Sequence, residues 1–383
     1  MREARRPWAI YAITKHGVDI GKRLAAGLPG ADLYVSEKLR SLAPAGAKPL
    51  TLPFSPLIAE NFRDYDCHIF LVSVGAVVRM IAPHLVSKKV DPAVLCVDDA
   101  SRFVVSLLSG HVGRGNEFTA RVATLIDATP VITTASDVRG TLTVDILGRE
   151  LGWTLADLDR NVTRGCAAVV NETKVCFVQE AGEPSWWPLD MPLPPGVTYV
   201  TSLDAASPTE HEILLVASDR LIERTHPQHY DNAVIYRPKS LVLGLGCDRG
   251  TPPLLVERGV RRLLDEAGLS LASVKAIATI DLKADEPAFL ELAERHGWPL
   301  EIYPAAALDA AEGIENPSEV VRRHVGTRAV AEPAALLAAG AKRLLVAKRK
   351  YSEPDCEQSM TMAVARLPHP SRHQALAPET RHA

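Results

Sequence analysis

Arg102-Phe-Val-Val-Ser-Leu-Leu-Ser-Gly-His-Val-Gly-Arg-Gly-Asn-Glu-Phe-Thr-Ala-Arg-Val-Ala-Thr-Leu-Ile126, followed by Thr129-Pro-Val-Ile-Thr-Thr134, decides the fold. Arg102–Leu108 reads as a strand. A loop rich in glycine follows, and then a helix over Asn116–Ile126 whose Phe118, Val122, Leu125 and Ile126 share one face. Thr129–Thr134 reads as a second strand. Strand, glycine loop, helix and strand in that order form the repeating unit of a parallel α/β sheet.

The same alternation extends outward. Trp8–Ile13, Ala31–Val35, His68–Ser73 and Pro92–Val97 read as strands, and Gly17–Ala26 and Gly75–Ile81 as helices, so residues 1–137 form an amino-terminal α/β domain. Residues 138–238 are less regular and read as a smaller irregular α+β central domain. In it Val144–Leu151 and Val162–Val170 look helical, and Lys174–Gln179 and Glu212–Ala217 look like strands. Its proline-rich stretch Glu183–Gly196 reads as a loop. Trp186–Trp187 there covers a core edge or, alternatively, stacks as a lid over a flat ligand.

After a further strand at Ala233–Tyr236 and a linker at Arg237–Ser240, residues 239–366 resume the α/β pattern. Strands are expected at Leu241–Leu245, Ala276–Ile280, Leu300–Tyr303, Leu344–Ala347 and Met360–Ala365, and helices at Pro253–Ala267, Glu286–His296, Pro317–His324 and Glu332–Ala339. Residues 367–383 are rich in proline, histidine and polar residues and read as a disordered tail. The fold class is α/β, with two parallel-type domains flanking the central one.

Composition narrows the function. The chain has 383 residues with a net charge of −3, so no strong basic field favours nucleic acid. Aromatics at 5% argue against base-stacking platforms. The apolar run Ile69–Val78 stops at Arg79, too short for a membrane span, and the apolar piece after the basic start, Trp8–Ile13, is too short for a signal peptide. Six cysteines without a CxxC pair exclude a ribbon-type zinc site and fit a cytoplasmic protein.

Ser109-Gly-His-Val-Gly-Arg-Gly-Asn-Glu117 suits an anionic oxygen: glycines let backbone approach, and a helix start offers free N–H groups. His111 is the natural acid or base there, or else a loop residue capping a carbonyl. Glu117 complements the helix dipole and Asn116 caps the helix in the plainer reading. Arg79, one turn past Gly75, pairs with a substrate carboxylate or stays in solvent. Asp98-Asp99 reads as a turn.

Gly244-Leu-Gly-Cys-Asp-Arg-Gly-Thr251 has neither the spacing of a dinucleotide fingerprint nor a P-loop lysine, which leaves an anion cradle between strand and helix. Cys247 lacks a visible histidine partner for nucleophilic work. Asp281 and Lys283 follow a strand end, where ligands gather in open sheets, and pair with each other or face a ligand. Asn316-Pro-Ser318 starts a helix as a cap or as a ligand contact. His226-Pro-Gln-His229 reads as a surface turn.

These blocks together resemble the CbiG family, the cobalt-precorrin-5A hydrolases of anaerobic cobalamin biosynthesis. The match runs through Gly75-Ala-Val-Val-Arg-Met-Ile-Ala-Pro83, Lys88–Val94, Leu107–Glu117, Thr129–Asp137, Gly244–Thr251, Ala278–Glu286, Asn316–Glu319, Val325–Thr327 and Val330–Ala334. It spans residues 8–366 and is weakest in the central region. Lys348–Asp355 departs from the pattern, being longer and more charged, and reads as a surface loop. A carboxy-terminal region of this kind also occurs as a separate protein.

The resemblance implies a hydrolase acting on a carbon–carbon bond. Water opens a ring-contraction lactone on a cobalt macrocycle, and a two-carbon fragment leaves as acetaldehyde. Cobalt enters only with the substrate, so no cofactor and no resident metal site is expected; whether one of the twelve histidines ligates the substrate cobalt is left open. The partner is an anionic cobalt-tetrapyrrole, with neighbouring cobalamin-pathway enzymes, no nucleic acid, no membrane, and a homodimer left open. The family supplies no catalytic residues to transfer.

From the residues, His111 with Glu117 activates water, Lys283 is the third catalytic candidate, and N–H groups near Gly113–Asn116 hold the oxyanion. Gly75, Arg79, Ser109, Gly110, Gly113, Arg114, Asn116, Gly246, Cys247, Arg249, Gly250, Thr251, Asp281, Asn316 and Ser318 are the expected substrate contacts. A non-catalytic carrier of corrinoid intermediates and a nucleotide-dependent enzyme are the competing readings.

Overall fold

A computed structural model describes residues 5–157 and 160–376. The chain divides into two compact units, residues 1–146 and 147–383.

The first unit is a seven-stranded sheet in the order β3-β2-β1-β4-β5-β6-β7. Its strands are β1 (Arg6–Ala12), β2 (Ala31–Ser36), β3 (Lys48–Leu50), β4 (Tyr65–Leu71), β5 (Ala93–Val97), β6 (Phe103–Leu108) and β7 (Thr129–Val131). Helices α1 (Lys15–Gly27), α2 (Ser55–Asn61), α3 (Val74–Ile81), α4 (Gly115–Ile126) and α5 (Ala135–Arg139) connect and follow them. Strand β1 is buried on both faces, as central parallel strands are. Trp8, Ile10 and Ala12 meet α1 and α4 residues such as Leu24 and Val122, while Ala9 and Tyr11 meet Phe54, Ile58 and Val77 on the other face. Thr14 starts α1 by accepting the Gly17 N–H at 2.9 Å.

Only β5 and β6 pair antiparallel in this sheet. Asp98 closes their turn by accepting the Arg102 and Phe103 N–H groups at 2.8 and 2.6 Å, the expected turn role. The reversal matters for function. The loop after β6 opens at the amino ends of β4 and β5, one strand length from the β4–α3 junction.

His68 lies wholly buried on β4, among Tyr11, Phe62 and Phe70. Its Nδ1 is 3.0 Å from the Tyr11 hydroxyl and its Nε2 is 3.0 Å from the Phe62 carbonyl, a neutral imidazole donating once and accepting once. Burial pushes its pKa down to about 4. The unfolded chain takes this proton near pH 6.5 and the folded chain only near pH 4, so stability falls as pH drops through that window. The loss is on the order of 3 kcal/mol. Thermal unfolding between pH 7 and pH 4.5 is expected to show this slope, and His68→Gln to flatten it. An equal slope in the variant would assign the acid sensitivity elsewhere.

The second unit holds two sheets. The central one has the order β10-β9-β11-β12-β8. Its strands are β8 (Thr154–Leu155), β9 (Val175–Gln179), β10 (Val197–Val200), β11 (Ile213–Ala217) and β12 (Ala233–Arg237), with α6 (Val162–Val170), α7 (Ile222–Thr225) and α8 (Pro227–Asp231). All pairs but β12 with β8 are parallel, so this region is more regular than its sequence suggested.

The other sheet has the order β15-β14-β13-β17-β16. It comprises β13 (Leu241–Cys247), β14 (Val274–Ile280), β15 (Leu300–Tyr303), β16 (Leu344–Ser352) and β17 (Ser359–Arg366), with α9 (Pro253–Glu266), α10 (Pro287–His296), α11 (Ala305–Ala310), α12 (Glu319–Val325) and α13 (Ala331–Ala339). Strands β13, β14 and β15 are parallel, and β17 runs antiparallel to both β13 and β16. Helix α13 lies hard on β13: a Cβ at Gly244 would stand 1.8 Å from the Ala331 carbonyl oxygen.

Three sequence expectations change. Val144–Leu151 is a set of turns ending in a single 3-10 turn at Arg149–Leu151, because Gly148 and Gly152 break the run at positive φ. The charged segment from Lys348 continues β16 to Ser352 instead of looping out. Trp186 keeps the core-edge reading and is no lid: it is buried, stacks on Phe177 at 3.7 Å and donates to Gln179 Oε1 at 3.0 Å. Nor is the whole of 367–383 a disordered tail. Leu367–Leu376 ends in α14 (Arg372–Leu376), and buried Arg372 donates to the carbonyls of Trp187, Pro188 and Met191. Residues 377–383 lie outside the described residues.

No helix among the described residues is long and apolar enough to cross a membrane.

Candidate active site

The loop after β6 is folded on itself. Ser109 turns the chain at φ +56, and the N–H groups of Arg114, Gly115 and Asn116 donate to the carbonyls of His111, Ser109 and Gly110 at 2.9, 3.0 and 2.9 Å. The glycines permit this closeness. A Cβ on Gly113 would stand 2.5 Å from Ser109 Cβ, one on Gly115 2.9 Å from the Leu108 carbonyl oxygen, and one on Gly110 2.7 Å from Asn116 Oδ1. The N–H cradle expected for an oxyanion is therefore spent on the loop itself from Arg114 to Asn116.

What the loop presents is His111. Its Nε2 lies 2.8 Å from Asp137 Oδ2 and its Nδ1 lies 3.3 Å from Asp145 Oδ2. Ser136 Oγ is 3.2 Å from Nε2. Asn116, buried in the first turn of α4, donates through Nδ2 to Thr134 Oγ1 at 2.7 Å and to Asp137 Oδ2 at 3.0 Å, and its Oδ1 accepts from Ser106 at 2.8 Å. It is thus a positioning residue for the Asp137–His111 pair. Side-chain exposure grades across the array: 9% for Asp145, 14% for His111 and 37% for Asp137.

The electrostatics follow. The Asp145 hydrogen bond holds the His111 pKa above its ordinary value; burial opposes this and Asp137 adds to it. Burial of Asp145 pushes its carboxyl up, but His111 outweighs it and the carboxyl titrates low. The array favours the charged form of an imidazole set between two carboxylates, one buried and one reaching solvent.

The expected partner of His111, Glu117, instead chelates Arg114: Nε and Nη2 donate to its two oxygens at 2.7 and 2.5 Å. Both are half-exposed, and Arg114 lies over the Phe118 ring at 5.3 Å. Gly75 and Arg79 belong to the other end of the sheet, since they follow β4 while the His111 loop follows the reversed β6. Arg79 is exposed and donates to the Gly75 carbonyl of its own helix at 2.8 Å, so the solvated reading is the observed one. Asp137 and Asp145 were missed. Asp137 closes a block with no carboxylate spacing to flag it, and Asp145 sits in the stretch misread as helix.

In the carboxy-terminal sheet, Gly246, Cys247, Lys283 and Ser318 line one cavity of about 400 Å³ at the carboxyl ends of β13 and β14. Lys283 Nζ bonds the fully buried Glu286 at 2.8 Å, and Glu286 also accepts the Gly250 N–H at 3.0 Å. Burial pushes the Cys247 thiol up, against a nucleophilic role.

The remaining expected contacts hold the loops. Arg249 pairs with Asp285 at 2.7 Å, buried Thr251 bonds the Asp248 carbonyl at 2.8 Å, and Asp281 accepts the Leu282 N–H at 2.8 Å. Asn316 donates from its side chain and its backbone to buried Glu332 at 2.8 Å each. His324, Arg328 and Lys348 also line the cavity and were not foreseen. Among the described residues no group of three or more His, Cys, Asp or Glu side chains is placed to hold a metal ion.

Comparison with known proteins covers nearly the whole chain. Residues 56–137 match the family described as cobalamin synthesis G N-terminal, 142–238 the cobalamin biosynthesis central region, and 241–365 the cobalamin synthesis G C-terminus. A cobalt-precorrin-5A hydrolase of Priestia megaterium is 39% identical over 367 residues, covering 95% of this chain and 96% of its own. The cobalt-precorrin-5A hydrolase of Salmonella typhimurium is 33% identical over 333 residues, 86% of this chain and 91% of its own. A crystal structure of a cobalamin biosynthesis protein G homolog from Sulfolobus solfataricus is 18% identical, covers 95% of this chain and 98% of its own, and has a TM-score of 0.36. The crystal structure of CobE, from the vitamin B12 pathway, is 36% identical over 34% of this chain and 92% of its own, with a TM-score of 0.29.

Proposed function

The chain belongs to the cobalamin synthesis G family, and from that membership we infer that it is a cobalt-precorrin-5A hydrolase whose proton transfers run through Asp137, His111 and Asp145. The observation that carries this assignment of roles is the imidazole held by a carboxylate at each nitrogen.

Water adds to the lactone carbonyl and the carbonyl–oxygen bond breaks, leaving a carboxylate and a hydroxyl on the two-carbon bridge. Loss of the hydroxyl proton then drives cleavage of the carbon–carbon bond to the ring. Acetaldehyde leaves, and the electron pair passes into the conjugated macrocycle, so the reaction needs no separate electron sink. Asp137, the solvent-facing carboxylate, takes the proton from water. The His111 imidazolium, kept charged by Asp145, returns a proton through Asp137 to the departing oxygen. A base at His111 itself is disfavoured, because both of its nitrogens already face carboxylates.

All six cysteines are free of disulfides, which supports a reducing, cytoplasmic setting. The test is anaerobic incubation with cobalt-precorrin-5A, trapping acetaldehyde and following the macrocycle mass. Stoichiometric acetaldehyde with the matching mass loss is expected. Bound but unchanged substrate would replace the hydrolase with a carrier.

A further inference from the structure

The cavity at the carboxyl ends of β13 and β14 has an unusual chemical make-up. Its wall is apolar, built from Ile280, Leu282, Val320, Val321, Val325 and Val330. Two of these are large apolar side chains left open, with Leu282 52% exposed and Val320 65%. An apolar wall of this size with a few polar groups is the common form of a small-molecule site.

Three fixed cations line it, each fastened by the protein. Lys283 is held by Glu286 at 2.8 Å, Arg328 by Asp309 at 3.1 Å, and Lys348 by the Asn316 carbonyl at 2.7 Å. The lining carboxylate, Asp248, is occupied by the Ser359 N–H and hydroxyl at 2.7 and 3.0 Å. The balance suits a ligand with an apolar ring and a carboxylate rim.

His324 differs from these three cations. It lies in the last turn of α12, exposed at the cavity, and among the described residues it has no hydrogen-bond or ion-pair partner. Its imidazole nitrogens are therefore open to a ligand at the cavity mouth. Imidazole is a good donor to late first-row metals. A residue that contributes only charge would be fastened like its neighbours. One that must bind and release a metal centre is better left unengaged.

We propose that His324 is the axial ligand to the cobalt of the substrate macrocycle, which lays one face on Val320, Val321 and Leu282 and turns its carboxylates to Lys283, Arg328 and Lys348. This rests on the cobalt-precorrin-5A hydrolase reading. The ligation holds the macrocycle by its metal and fixes which face the protein covers.

The test uses the full chain and the Co(II) form of cobyrinic acid as probe, read by electron paramagnetic resonance. The bound probe is expected to show the triplet splitting of one axial nitrogen. His324→Ala, an exposed position where folding is not at stake, is expected to abolish the splitting and weaken binding about tenfold. Free imidazole should restore the splitting in that variant. Splitting that survives in His324→Ala, or bound probe with no nitrogen splitting in the wild type, overturns the proposal. Acetaldehyde release from cobalt-precorrin-5A is measured on the same preparations. Release without His324-dependent splitting overturns the ligand and leaves the hydrolase standing, whereas His324-dependent splitting without release leaves the ligand and overturns the hydrolase.

Discussion

Alanine at His111 is expected to lower the rate of acetaldehyde release about a hundred- to ten-thousand-fold while leaving macrocycle binding within a few-fold, the usual range for losing a positioned acid or base. The substitution removes the proton carrier and leaves Asp137 and Asp145 as two carboxylates with nothing between them. Their mutual repulsion then raises one carboxyl pKa, so the residual activity should move toward higher pH as well as fall. The intact array makes its own signature. His111 titrates above the ordinary imidazole range because Asp145 and Asp137 both stabilise its charged form. Activity that depends on the imidazolium therefore persists to higher pH than an ordinary imidazole allows and declines on the alkaline limb. Asp145→Asn keeps the shape and removes the buried charge, and the alkaline limb should retreat to lower pH. A His111→Ala enzyme within tenfold of wild type, or an alkaline limb unmoved in Asp145→Asn, would remove the array from the mechanism.

Much of this architecture was legible in the sequence, and particular residues show why. The Phe118, Val122 and Ile126 stripe marked α4, and the glycines marked the tight loop before it, since periodicity and turn chemistry are local properties. The direction of β6 is also local in principle. Asp98–Arg102 is too short for the crossover that parallel neighbours require, so the hairpin follows from loop length alone. Attending to β–α units instead placed Arg79 and His111 in one site, when the reversal puts them at opposite ends of the sheet.

The partners of His111 were not legible. Asp137 and Asp145 lie 26 and 34 residues away along the chain, and no spacing rule connects a loop histidine to a carboxylate at that separation. Glu117 was the nearest acid in sequence, but Arg114 three residues before it satisfies it within the same turn. The cavity at β13 and β14 was half legible. The strand-end residues Gly246 and Lys283 announce themselves by position, while His324, Arg328 and Lys348 arrive from later elements that only the tertiary fold brings over the sheet.

Asp219→Ala is expected to destabilise the second unit by about 3 kcal/mol, the lower end of what removing one partner of a buried pair costs. Asp219 is fully buried between the central and carboxy-terminal sheets. Arg366, at the end of β17, donates to it through Nε and Nη2 at 2.7 and 2.6 Å, and Ser240, just before β13, donates at 2.8 Å. Its backbone carbonyl accepts from Ser270 at 2.7 Å, and buried Arg237 next to it donates to the carbonyls of Ser218 and Arg220. One carboxylate therefore ties the end of the central sheet to both strands that lead the next. Truncation leaves Arg366 and Ser240 without their acceptor; Arg366 keeps 31% of its side-chain surface in water, which is why the low end of the range applies. At roughly 2–4 °C per kcal/mol for a unit of this size, the calorimetric transition should fall by about 6–12 °C. Asp219→Asn retains a carbonyl acceptor and should lose less. Pairing Asp219→Leu with Arg366→Met, which removes both charges and fills the space, should recover part of the loss, because the penalty lies in the orphaned partner more than in the missing attraction. A transition within about 2 °C of wild type in Asp219→Ala would mean that apolar packing alone holds the two sheets together.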